Sequence, residues 1–252
     1  MKKIALITGA SSGFGSIMAT KLSNEFKCID EIYLIARRKE RLEELSKAIS
    51  KPCKIIQMDL TQTENINKLH DIVREDNVSI KILANCAGFG IYGEFEGMDE
   101  EKCAGMIDLN CKALTLITRK MLPYMSYNSR IINIASAAAF VPQKNFAVYA
   151  ASKSYVLSFT RALNEELKGT TVSATAVCPG PANTEFFDIA LESSETIPFY
   201  KKMFMADAEK VVDKAIYDAI IKKEVSVYSL PMKMLRVISK VVPTDVIFKF
   251  ME

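Results

Sequence analysis

The chain has 252 residues, 49% hydrophobic and 25% charged, a balance that excludes a disordered or fibrous protein and suffices for a large core without staples. Its formal net charge is +3, and the densest basic cluster is Arg37-Arg38-Lys39, so nothing points to nucleic acid. The single histidine, His70, and the lack of a C-x-x-C pair leave no zinc-ligand spacing, and no metal is expected.

Six separated cysteines, Cys28, Cys53, Cys86, Cys103, Cys111 and Cys178, read as reduced thiols that serve as small buried hydrophobes in a cytoplasmic protein. The apolar run after Lys2-Lys3 is only Ile4–Ile7, too short for a signal peptide. No stretch reaches the ~20 apolar residues of a membrane-spanning helix.

In chain order, short Ile- and Val-rich runs alternate with amphipathic stretches. Strands are predicted at 4–7, 31–36, 53–57, 80–84, 130–135, 172–177 and 225–228. Helices are predicted at 13–26, 38–50, 63–75, 100–126, 148–168 and 207–222. This alternation predicts an α/β chain: a three-layer, Rossmann-like, doubly wound parallel sheet in a single domain. Residues 1–230 would form the dinucleotide-binding and catalytic body, with a substrate lid at about 181–206. Residues 231–252 would be a tail of the same domain.

The first strand runs into Thr8-Gly9-Ala10-Ser11-Ser12-Gly13-Phe14-Gly15, and a helix follows. Glycines there permit a tight turn and close approach of backbone N–H groups to an anion, at the positive end of the helix. A dinucleotide pyrophosphate is the expected ligand, cradled by Gly9, Ser11, Ser12, Gly13, Phe14 and Gly15. The spacing G-x-x-x-G-x-G is not the common G-x-G-x-x-G, and it lacks the ending of a phosphoryl-transfer loop.

The second strand ends without the acidic residue that would grip a ribose 2′-hydroxyl. Arg37 and Arg38 follow instead, where positive charge is mildly unfavourable at a helix N-terminus. A guanidinium binds a 2′-phosphate bidentately, so NADP is favoured over NAD. Asp59 and Leu60 fall where an adenine contact is expected. Asn85, Ala87 and Gly88 lie at the end of the fourth strand, on the cofactor edge.

Tyr149-Ala150-Ala151-Ser152-Lys153 sets a phenol and an ammonium about 6 Å apart along one helix face. The spacing is common by chance in a chain with 9 tyrosines, so context carries the case. Ser136 ends the preceding strand, and Asn110 is a polar residue inside a predicted helix. Carbonyl reduction needs a hydride on carbon and a proton on oxygen. A phenol of pKa about 10 is a poor proton exchanger near neutrality, and Lys153 with an oxidised nicotinamide would lower it. Tyr149 is thus the expected acid/base, Ser136 a hydrogen-bond donor to the substrate oxygen, and Lys153 also a ribose ligand. Asn110 would hold a water that links Lys153 to solvent.

These motifs, with Pro179-Gly180 and Thr184 after the sixth strand, resemble the short-chain dehydrogenase/reductase family over roughly residues 3–230. The resemblance implies a seven-stranded parallel sheet and an Asn110-Ser136-Tyr149-Lys153 tetrad. It also implies nicotinamide-carboxamide contacts from Pro179, Gly180 and Thr184, and homodimers or homotetramers formed through the helices at 100–126 and 148–168. Cys86 departs from the family, which commonly has asparagine there.

After Thr184 comes a run of large apolar residues, Phe186, Phe187, Ile189, Leu191, Ile197, Phe199, Tyr200, Met203, Phe204 and Met205. Ala137, Ala138, Phe140, Val141 and Phe146 face it. The expected substrate site, Ser136, Ala138, Tyr149, Phe186 and Phe187, suits a hydrophobic carbonyl or alcohol, with a hydroxysteroid as the leading candidate. Acyl-carrier reduction, hydroxy-amino-acid oxidation and broad carbonyl reduction are the alternatives. A non-catalytic NADP-sensing protein is the other class, and it would have no use for Tyr149 and Lys153. Residues 232–242 read as an amphipathic basic helix that packs on a neighbouring subunit or the lid, with membrane contact the lesser expectation.

Overall fold

The structure, a computed structural model, describes residues 1–190, 205–243 and 246. Seven strands form one sheet: β1 (Lys3–Thr8), β2 (Glu31–Ala36), β3 (Cys53–Gln57), β4 (Ser79–Asn85), β5 (Met125–Ile134), β6 (Ser173–Val177) and β7 (Val225–Ser226). All neighbours are parallel, in the order β3-β2-β1-β4-β5-β6-β7. The helices are α1 (Gly13–Glu25), α2 (Lys39–Ala48), α3 (Thr63–Glu75), α4 (Glu100–Ile107), α5 (Leu114–Met121), α6 (Ala147–Glu166), α7 (Phe186–Ala190), α8 (Ala208–Ile220) and α9 (Leu230–Val241). The expected doubly wound parallel architecture is the observed one.

Alternation along each strand explains the two helical layers. On one face Ala5 and Ile7 pack with Met18 and Leu22 of α1 and with Val212 and Ile216 of α8. On the other, Ile4 and Leu6 pack with Ile66, Leu69 and Val73 of α3 and with Ile117 and Met121 of α5. Strands covered on both faces bury every residue, and β1 from Ile4 onward does so. The strand order reverses between β1 and β4, and such a reversal opens a crevice at the carboxyl ends of the strands. Thr8 pairs with Asn85 at that edge.

A buried polar ladder fixes the edge. Asn85 Nδ2 donates to Thr118 Oγ1 at 3.0 Å and to Asn133 Oδ1 at 2.8 Å. Asn133 Nδ2 donates onward to Thr160 Oγ1 at 2.9 Å. Two strands and two helices are tied in this way below the crevice. Thr8 Oγ1 accepts from the backbone N–H groups of Cys86 and Ala87, both at 3.2 Å.

The continuous helix expected at 100–126 is instead broken. A π-turn, Asp108–Ala113, separates α4 from α5. Pro123 cannot supply an N–H, so α5 stops at Met121, a 3-10 turn follows, and β5 already begins at Met125. The thiols also differ from the expectation of buried hydrophobes: Cys178 is buried, Cys28 is exposed and the other four are half-buried. Among the described residues no helix is long and apolar enough to cross a membrane.

The ladder yields a stability prediction. Asn85→Ala leaves Asn133 Oδ1 and Thr118 Oγ1 without their donor and should cost about 2–3 kcal/mol, lowering Tm by about 5–10 °C. Thermal denaturation followed by circular dichroism reads this; a shift below about 2 °C would deny the ladder that role.

Candidate active site

The loop after β1 turns at Gly9, where φ is +66° and a Cβ would lie 2.7 Å from the backbone of Ala87. Only glycine lets this loop touch the chain leaving β4. Gly15 packs on the carbonyl of Gly9, and α1 begins at Gly13 without a side-chain cap. The first N–H groups of a 13-residue helix are therefore available to an anion at the crevice.

A cavity of about 800 Å³ extends from this loop. One end is lined by Arg37, Arg38, Asp59 and Leu60, and the other by Ser136, Tyr149, Phe186 and Phe187. Ser11, Ser12, Gly13, Phe14, Ala87, Gly88, Lys153, Pro179, Gly180 and Thr184 line it between. Of the residues expected to bind cofactor, Gly15 and Asn85 do not reach the wall: Gly15 supports the turn, and the Asn85 side chain belongs to the buried ladder. The cradle of glycines, the uncapped helix end and the arginines at the far end fit a phosphorylated dinucleotide.

Arg38 donates to Ser11 Oγ through Nε and Nη2, both at 3.3 Å, and to Glu185 Oε2 at 2.9 Å. Asp59 Oδ1 accepts from Thr61 N and Thr61 Oγ1, both at 2.9 Å, so its carboxylate shapes the turn beside the cavity.

Asn110 sits in the π-turn, and this is how a polar residue is accommodated between two helices. Its Nδ2 donates to Phe89 O and Ser152 Oγ, both at 2.9 Å, and its Oδ1 accepts from Phe89 N at 3.1 Å. The amide is thus spent on holding the chain after β4 against α6 and does not line the cavity. That chain passes so close that a Cβ on Gly88 would lie 2.8 Å from Asn110 Oδ1 and 3.2 Å from Lys153 Nζ.

Lys153 is buried and donates from Nζ to Ile134 O at 2.8 Å. Burial pulls its pKa down to about 8, against the opposing influence of the Cys111, Cys86 and Cys178 thiols. Tyr149 is buried too, and burial pushes its phenol up to about 12, although the Ser136 hydroxyl hydrogen-bonds to it and lowers it. The Lys153 ammonium is 5.7 Å from the Tyr149 ring centre. Lys153 together with an oxidised nicotinamide is expected to lower the phenol; among the protein's own groups burial is the larger influence, and it raises it. Ser136 Oγ accepts from Ala138 N at 3.1 Å, which orients its hydroxyl.

Aromatic rings fix the phenol. Phe146 stacks on Tyr149 at 4.3 Å between centroids, and Phe186 of α7 lies 5.2 Å from it. The tail helix, expected on a neighbouring subunit or the lid, packs on the chain's own body: Met232 lies on Gly180 with Cys178 and Val227, and Leu230, Met234, Leu235 and Ile238 line the cavity. Glu185 and Gln143 also line it and carried no signal, being ordinary polar residues next to recognisable ones.

Residues 3–194 match the sequence model of the family described as short chain dehydrogenase. The chain belongs to the short-chain dehydrogenase/reductase family. Among its relatives, an oxidoreductase of Staphylococcus epidermidis is 32% identical over 86% of this chain and 90% of its own length. Sulfoacetaldehyde reductase 2 of Chromohalobacter salexigens is 31% identical over 91% of this chain and 93% of its own length. A short-chain dehydrogenase from Sphingobium yanoikuyae, solved in complex with NADPH, superposes with a TM-score of 0.78 at 28% identity, covering 91% of this chain and 89% of that one. The short-chain dehydrogenase/reductase fold and its oxidoreductase character therefore hold for this chain.

The two displaced pKa values give a pH prediction. The Lys153 ammonium is present below about 8 and is lost above it. Carbonyl reduction, which needs a positive charge beside the phenol, should fall as pH rises through about 8. Initial rates between about pH 6 and 10 check this, and a flat profile would remove Lys153 from the proton chemistry.

Proposed function

We propose that the chain is an NADP-dependent oxidoreductase that exchanges a hydride with the carbonyl or secondary-alcohol carbon of a hydrophobic substrate. One observation carries the reading: a single cavity joins Arg37 and Arg38 at one end to Ser136 and Tyr149 at the other, with Lys153 lining it between. A bound NADPH supplies the hydride. Tyr149 donates its phenolic proton to the substrate oxygen, and Ser136 hydrogen-bonds that oxygen. Lys153 binds the nicotinamide ribose and holds positive charge near the phenol. Asn110 positions the chain around Phe89 and Gly88. Pro179, Gly180 and Thr184 would hold the nicotinamide carboxamide, and Ser11 to Phe14 with Gly9 would hold the pyrophosphate. Asp59 and Leu60 flank the adenine, and Arg37 and Arg38 take the 2′-phosphate.

The Sphingobium relative was solved with NADPH, which favours this cofactor for a chain with arginines at the end of β2. The relative named as a sulfoacetaldehyde reductase raises the question of an anionic substrate. Among the described lining residues, Arg37, Arg38 and Lys153 are the cations, and none is spare at the substrate end. Phe146, Phe186, Phe187, Met234 and Ile238 favour an apolar ketone or alcohol of hydroxysteroid size instead. The lid reading of 181–206 is supported at its neck, where Ala206 N donates to Pro181 O at 2.8 Å and Asn183 N to Ala206 O at 3.1 Å. Leu191, Ile197, Phe199, Tyr200, Met203 and Phe204 lie outside the described residues. A homodimer or homotetramer in the cytoplasm, joined through α4, α5 and α6, is part of the same proposal, and exposed Ile107 and Tyr155 offer apolar surface there.

Three variants test it. Tyr149→Phe should lower turnover about 10²–10⁴-fold, measured as NADPH oxidation against a panel of steroids, acyl thioesters and small ketones; near-parental turnover would end the acid/base assignment. Arg38→Ala should weaken NADPH binding about tenfold or more and NADH binding much less, by fluorescence titration. Met234→Glu, on an exposed stretch of α9, should raise KM for apolar ketones several-fold with little effect on Tm.

A further inference from the structure

Arg38 has a carboxylate partner within the protein. Its guanidinium donates to Glu185, 147 residues away in sequence, at 2.9 Å beside the loop of Ser11 and Ser12. Glu185 follows Thr184 and opens the turn into α7, so the pair links the phosphate loop to the substrate segment. Arg41, on the next turn of α2, lies 3.6 Å from the other Glu185 oxygen, and the Ser12 hydroxyl also hydrogen-bonds to the carboxylate. The carboxylate therefore stands between two cations, one of them the proposed 2′-phosphate ligand.

Resting on the NADP reading above, we infer that Glu185 sets cofactor selectivity by occupying Arg38 until a 2′-phosphate displaces it toward Arg41. A 2′-phosphate offers more charge and more acceptor oxygens than one carboxylate, so it wins the fork of Arg38. The exchange costs NADPH part of its binding advantage. NADH has no 2′-phosphate and leaves the Arg38–Glu185 pair in place. Selectivity for NADPH is thus held below what the arginines alone would give. The exchange also reaches the substrate end, because Phe186 adjoins Glu185 and packs near Tyr149. Both partners are partly exposed, at 44% and 36% of their side-chain surface, so screening keeps the effect modest and makes it fall with salt.

Dissociation constants of NADPH and NADH, by fluorescence titration of the full chain, test the inference. Glu185→Gln should raise the NADPH:NADH affinity ratio about three- to tenfold at low salt, and Glu185→Asp should return it toward the parent. Arg41→Ala should lower the ratio about threefold in the parent and leave it unchanged in the Glu185→Gln background, because there is no carboxylate left to receive. A Glu185→Gln ratio within about twofold of the parent overturns the inference. So does an Arg41→Ala effect of equal size in both backgrounds, which would make Arg41 a direct phosphate ligand. If Arg38→Ala weakens NADPH in those cases, the NADP reading still stands. If Arg38→Ala leaves NADPH binding intact, the reading itself fails and the inference falls with it.

Discussion

The contact between Gly9 and Ala87 is the constraint on which the rest of the molecule depends. Two crossovers leave the sheet in opposite directions after β1 and β4, and their first residues must touch for the crevice between them to be narrow. A side chain at Gly9 would drive them apart, because its Cβ would meet Ala87 backbone at 2.7 Å. Thr8 holds the same junction from beneath by accepting from Cys86 and Ala87. The ladder from Asn85 to Thr160 then carries the position of β4 across to α6, the helix that bears Tyr149 and Lys153. A backbone contact at the phosphate end and the placing of the phenol are thus parts of one rigid arrangement.

Burial sets the electrostatics of that arrangement. It pushes Tyr149 up and Lys153 down, so each group is moved toward its neutral form. Such a site favours the protonated phenol over its anion. In the proposed reaction Tyr149 would hold its proton next to the nicotinamide, whose oxidised form would supply positive charge that favours the ionised phenol. Proton release by the phenol would then be tied to the redox state of the cofactor. A solvent-exposed tyrosine could not make that distinction, because water would screen the change.

Sequence reading recovered the parts that depend on local chemistry. The glycine loop, the paired arginines and the Tyr149–Lys153 spacing each require particular residue types at fixed intervals, and all of them reach the cavity apart from the supporting Gly15. Asn85 and Asn110 were recognised by type, but their side chains turn to the backbone and to the ladder and not to the cavity. An amide presents donor and acceptor equally to a ligand or to a neighbouring strand, and its own sequence neighbours do not say which. The π-turn was invisible for a related reason: it adds one residue to a helical turn without changing the apolar periodicity on either side. The α9 amphipathicity was plain, yet its partner was not, because the face that packs on Gly180 meets residues some 50 positions earlier.

The late part of the chain does a different job from the early part. Residues up to Gly88 build the sheet edge, the glycine loop and the arginine end of the cavity, and in the proposed function they all serve one dinucleotide. The segments from Pro179 to Ile238 close the other end with Phe186, Phe187, Met234 and Ile238, which need only be apolar and suitably shaped. Glu185 is where the separation fails, since it belongs to the late segment and grips the early one. A change of substrate wall that shifts α7 would therefore also shift the anion facing Arg38. In the proposed reading, cofactor choice and substrate choice meet at that side chain, through its ion pair with Arg38 and through the packing of its neighbour Phe186 near Tyr149.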